Sequence, residues 1–129
     1  MKSVYPIVMT QNDASVIVFV PDFDINTYGK DYYDAIEMAR DAICLAGICF
    51  EDKGLNLPVP SDLSSVQAKP GEVVTLVDVN FDDYRRKNDM RSVRRNVTLP
   101  AYLDYAASES GINVSAVLQN ALKKVLNIE

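Results

Sequence analysis

The last forty residues set the tightest limit on how this chain folds. In "VRRNVTLPAYLDYAASESGINVSAVLQNALKKVL" (93–126), one short alternating segment is followed by two helical patterns. Val93, Val97 and Leu99 fall on one side of an extended strand, and Arg94, Asn96 and Thr98 on the other, because successive side chains alternate. Pro100 suits the first turn of a helix, where its missing N–H costs nothing. "AYLDYAASES" continues that helix, with Leu103, Ala106 and Ala107 on one face. Gly111 is placed to end it in a left-handed conformation. Asn113 is placed to cap a second helix, whose stripe is Val114, Leu118, Ala121, Leu122 and Val125. Lys123 and Lys124 fall in its last turn, at the negative end of the dipole. One strand and two helices cannot enclose a core alone. The two cysteines, Cys44 and Cys49, lie elsewhere and there is no histidine, so neither a disulfide nor a zinc site is available as a staple. The tail is therefore expected to form a homodimer or higher oligomer through residues 92–126. Each strand then covers the other's unpaired edge.

A strand-helix-helix that dimerises through its strand is a ribbon-helix-helix arrangement, and a two-stranded ribbon fits the major groove of DNA. Its polar face presents Arg94, Asn96 and Thr98. Arg matches guanine O6/N7, Asn matches adenine N6/N7, and Thr reaches a base acceptor or the thymine methyl. Arg91 and Arg95 are assigned to phosphates. The start of the second helix, Asn113, Val114 and Ser115, offers N–H groups and a positive dipole end to a phosphate. Arg85, Arg86 and Lys87 go either to phosphates or to a solvated linker.

The rest of the chain has the opposite sign. Residues 1–80 hold five Lys+Arg against twelve Asp+Glu, a net of −7, whereas residues 81–129 carry a net of +2. Within 84–95, six bases face one acid. Such asymmetry predicts two modules with different partners, the acidic one suited to a basic partner. "VYPIVMT" (4–10) and "SVIVFV" (15–20) read as strands joined by a "QNDA" turn, and "INTYG" (25–29) as a third strand. Pro6 predicts an edge strand, or a residue facing out of the ladder. Asp31 is the expected N-cap of a helix whose apolar face is Tyr32, Ile36, Ala39, Ile43, Ala46 and Phe50, ended by Gly54. Residues 55–72 read as a loop, and "VVTLVDV" (73–79) as a fourth strand. "NFDDYRRKNDM" (80–90) is polar and reads as a linker. The expected organisation is α+β: a β-β-β-α-β domain over 1–80, a basic linker over 81–91, and a ribbon-helix-helix domain over 92–129.

The tail "VRRNVTLPAYLDYAASESGINVSAVLQNALKKVL" resembles ribbon-helix-helix repressors along its length. The first part, "YPIVMTQNDASVIVFVPDFDINTYGKDYYDAIEMARDAICLAG", is similar to the HicB antitoxin family: a strand beginning "YP", a second running into "PDF", then "G" and a helix "YYDAIEMA". "VTLVDVNFDDYRRK…VRRNVTLP" resembles that family's junction. The chain departs from it at "PDFDINTYG", where the family commonly has a "PDLPGC"-like turn. The resemblance implies a partial ribonuclease-H-like N-terminal domain without a nuclease centre. It implies an antitoxin that binds and covers a small, basic, RNA-cleaving HicA-like toxin. It also implies repression of its own operon through operator DNA.

On this reading Asp34, Glu37 and Asp41, on one acidic helix face, are either toxin contacts or solvated surface. Asp22 and Asp24, at the end of the second strand, are either toxin contacts or turn formers. The lack of histidine removes Ser–His–Asp and Cys–His catalysis. No catalytic residue, metal or cofactor is expected; carboxylates such as Asp22, Asp24 and Asp31 do not make a two-metal centre without partners on the first strand. Cys44 and Cys49 are five residues apart on a helix, so reduced thiols are expected rather than a local disulfide. The lack of a signal peptide or an apolar run of membrane length predicts a cytoplasmic protein with no membrane partner. The alternative function is a ribbon-helix-helix repressor whose N-terminal domain senses a small ligand or another protein.

Overall fold

β-branched runs in the first eighty residues become four strands in the computed structural model, which describes residues 1–128; Glu129, the last residue of the expected 92–129 module, lies outside them. The strands are β1 (Lys2–Gln11), β2 (Val16–Val20), β3 (Ile25–Gly29) and β4 (Glu72–Asn80). They form one antiparallel sheet in the order β3-β2-β1-β4. The β-β-β-α-β order is as read from sequence. β1 is a central strand, however, not an edge. Its ladder with β2 runs only from Val8↔Phe19 to Gln11↔Val16, while its ladder with β4 runs from Lys2 to Thr10. Pro6 sits where β1 has a ladder on one side only, a place a strand tolerates proline.

Helix α1 (Tyr32–Asp52) covers one face of the sheet. Asp31 caps it, accepting from the Asp34 amide at 2.8 Å, and the Asp34 carboxylate accepts from the Lys30 amide at 2.8 Å. The buried stripe is Ala35, Ala39, Ile43, Cys44 and Gly47, with Ile36, Ala46 and Phe50 packed alongside. It is rotated from the expected face, leaving Tyr32 exposed. Small residues lead because the helix lies close to its neighbours. A Cβ on Gly29 would meet the Ala35 amide nitrogen at 2.3 Å, and one on Gly47 would meet Phe81 Cε1 at 2.2 Å. From the sheet, Tyr5, Ile7, Met9, Val16, Val18, Val20, Val77 and Val79 complete the core.

Residues 81–91 differ from the linker reading. Phe81–Lys87 form a helix, α2, and Phe81 is fully buried. Asn80 caps it through the Asp83 amide at 3.1 Å. Asp82 and Asp83 stand in its first turn and Arg85, Arg86 and Lys87 in its last, so the charges follow the helix dipole. Arg85 reaches Asp52 on α1 at 2.8 Å, and the terminal amine bonds Asp82. The first compact unit consequently runs to Met90, and the second begins at Arg91.

In the second unit, helices α3 (Ala101–Ser110) and α4 (Val114–Leu126) lie as expected. Pro100 serves as N-cap of α3 rather than as its first helical residue, its carbonyl accepting from Leu103 and Asp104. Gly111 has φ 65° and ends α3. The strand expected over 93–99 has no regular hydrogen-bonded structure in the single chain, because a ladder needs a second backbone. No described residue of this unit is buried; Ala107 and Leu118 are half-buried.

Candidate functional site

Two surfaces carry the residues singled out by sequence, one in each unit. In the first, a groove of about 810 Å³ runs between α1, β4 and α2. Glu37, Arg40 and Asp41 line it from α1, Asp78 from β4, and Asp83 and Lys87 from α2. Arg40 organises one wall. Its Nε donates to the Asp78 carbonyl and its Nη2 to the Asp78 carboxylate, both at 3.0 Å, and its Nη1 donates to Glu37. Partial burial works against its charge, but the two carboxylates prevail and hold the guanidinium above its ordinary pKa. In turn, the hydrogen bond from Arg40 holds Asp78 below the ordinary carboxylate value. Lys87 pairs with Asp83 at 3.0 Å. Burial first, and then the neighbouring Asp41, raise the Tyr84 phenol. Burial likewise raises Cys44, which keeps its thiol protonated, while Cys49 is exposed.

The five acidic candidates do not form one cluster. Glu37 and Asp41 meet in the groove; Asp34, one turn earlier, is used in capping. Asp22 accepts from the Ser61 amide at 3.0 Å and from its hydroxyl, tying the 55–71 segment to the turn after β2. Asp24 is exposed in that turn with φ 50°. Sequence reasoning missed Arg40, Asp78 and Asp83. Arg40 and Asp78 are 38 positions apart, so no local spacing links them, and Asp83 lies in the stretch read as a linker. Among the described residues, no three His, Cys, Asp or Glu side chains are grouped to hold a metal ion.

In the second unit, Arg91, Arg94, Arg95, Asn96 and Thr98 are all exposed. Asn113 caps α4: its side chain accepts from the Ala116 amide, and its carbonyl from Val117, both at 3.1 Å. Val114 and Ser115 form the first turn, where the intrahelical ladder has no acceptor for their amides. Leu103 of α3 and Val114, Leu122 and Val125 of α4 are all exposed.

The profile of a HicB-like antitoxin of bacterial toxin–antitoxin systems matches residues 5–121. No curated protein matches the chain. Among solved structures, a chain of a toxin–antitoxin complex from Streptococcus pneumoniae is 22% identical, with a TM-score of 0.61 over 96% of this chain and 99% of that one. The antitoxin HicB of Burkholderia pseudomallei is 26% identical, with a TM-score of 0.53 over 96% of each chain. A chain of a HicA3 and HicB3 toxin–antitoxin complex is 21% identical, with a TM-score of 0.52 over 60% of this chain and 99% of that one.

Proposed function

The chain belongs to the HicB-like antitoxins of bacterial toxin–antitoxin systems, and on that premise we propose that it binds and neutralises a small HicA-like RNA-cleaving toxin and represses its own operon. Members of this family neutralise a toxin and are not enzymes. The toxin partner falls to residues 1–90, which close their own core and carry eight Lys+Arg against fifteen Asp+Glu, a net of −7. The β-β-β-α-β order of that unit supports a partial ribonuclease-H-like reading. Operator DNA falls to the second unit, with two copies pairing through 92–126 into a ribbon-helix-helix.

A single observation carries the DNA half. Residues 91–128 bury no side chain, yet hold two capped helices and a preceding segment whose even positions are Arg94, Asn96 and Thr98. Paired across a second copy, Val97 and Leu99 seal the dimer and the three polar side chains point outward to base edges. Arg91, Arg95 and the α4 start at Asn113, Val114 and Ser115 meet phosphates. No described helix is long and apolar enough to cross a membrane, and work on an operator belongs in the cytoplasm.

Footprinting at fixed salt tests the assignment. Arg94→Ala should weaken operator binding by about 1–3 kcal/mol and relax discrimination at one base pair. Unchanged protection with Arg94→Ala would remove the ribbon from the base-reading role.

A further inference from the structure

We infer that this antitoxin grips its toxin with the outer face of the β-sheet, the face turned away from α1. The inference rests on the antitoxin reading above and specifies its contact surface. Strand register defines the face: Ile17 stands opposite Tyr28, Val8 opposite both Phe19 and Val74, Pro6 opposite Leu76, and Val4 opposite Asp78. A sheet covered on one side ordinarily turns polar residues to water on the other. Here many outward positions are apolar, and although Pro6 and Val8 are buried, others are open: Phe19 is 37% exposed, Ile17 and Val4 43%, Leu76 48% and Tyr28 67%. Contiguous apolar surface of this kind marks a protein-binding site.

The face also has relief. Segment 66–69 passes beside it and bounds a recess of about 380 Å³ lined by apolar Val8, Ile17, Phe19 and Val66 and also by charged Lys69 and Glu72. A recess with partly apolar walls on that face suits the buried anchor side chain that dominates most interfaces.

Charge selects the occupant. A second copy would bring one −7 unit against another, and like-charged surfaces reject each other. A basic protein, by contrast, is drawn and steered by the net field of the unit. The groove between α1, β4 and α2 offers less available charge, because three of its four carboxylates are already engaged: Glu37 and Asp78 with Arg40, Asp83 with Lys87.

The test titrates the full-length antitoxin with a catalytically silenced HicA-like toxin expressed from the adjoining reading frame. Phe19→Glu and Tyr28→Glu should each weaken toxin binding by about 30-fold or more, the effect of losing an interface hot spot. The thermal midpoint and operator binding should hold. Tyr33→Glu, on the open side of α1, should stay within about twofold of wild type. If Phe19→Glu fails to fold, Tyr28→Glu decides alone. Unchanged toxin affinity in the outer-face variants, or its loss in Tyr33→Glu, overturns the inference while leaving the antitoxin reading intact. An altered oligomeric state in Phe19→Glu without toxin assigns the face to a second copy and also overturns it. A wild-type chain that ignores the toxin removes the antitoxin reading itself.

Discussion

The two units spend the same kinds of side chain in opposite ways. Tyr5, Ile7, Val18, Ile43 and Phe81 of the first are at most 1% exposed, whereas Val93, Val97, Leu122 and Val125 of the second all stand open. Apolar content does not separate them. The number of layers does. A sheet with a helix laid across it has two faces that cover each other, while two short helices and a lone extended segment have one face and nothing to set on it. The first unit thus encloses its own core, and the described residues of the second enclose none. The lesson is that closure depends on having two surfaces to press together, and a chain can carry a finished domain beside an unfinished one.

The sharpest attempt to break this contrast is Phe81→Ala. Phe81 fills the slot that Gly47 leaves open on α1, so its truncation should cost about 3–5 kcal/mol. Denaturant unfolding checks it. The loss should be independent of protein concentration, whereas the transition of the second unit should move with concentration, as association requires. A loss below about 1 kcal/mol would return 81–91 to the status of a linker. Next in size is Asn113→Ala, which removes the cap of α4 and should cost about 1 kcal/mol, read as a lower thermal midpoint of the second unit with the first unchanged.

Smallest is Asp78→Asn in the groove of the first unit. Arg40 holds the folded Asp78 carboxyl below its ordinary value of 3.8. A lowered folded pKa means the contribution is present at neutral pH and disappears as acid carries the pH down through that lowered value. The midpoint gap between wild type and Asp78→Asn should be slight at pH 7, because the pair is exposed to solvent, and should close on acidification. A gap that widens in acid would contradict the pairing.

Much of the local structure was legible. Asp31 and Asn113 cap the helices they were expected to cap, Gly111 ends α3 with a positive φ, and the β-β-β-α-β order stands. Such features depend on neighbours within four residues, where hydrogen-bond geometry acts directly on residue choice. The misreadings all turn on distant partners. Of the two places Pro6 allowed, an edge strand fails because β4 arrives from 62 positions or more away to make β1 central, while a position outside the ladder with β2 holds. The polar stretch 81–87 hid one buried phenylalanine whose slot is a glycine 34 positions earlier. The acidic helix face divided, with Asp34 going to a cap and Glu37 and Asp41 to the groove, while Asp22 at the end of β2 went to Ser61.

By itself, the order of residues determined most helix caps and the four strands of the sheet, the opposite charges of the two modules, and the shortage of core in the last forty residues. These follow from local hydrogen bonding, simple charge sums and the small number of apolar groups a short tail can bury. Only the tertiary structure decided which face of α1 is inward, that α2 belongs to the first core, and which side of the sheet keeps its apolar residues in water. Those outcomes are set by shape: side chains far apart in the chain must fill one volume, and no local pattern records which of them will meet.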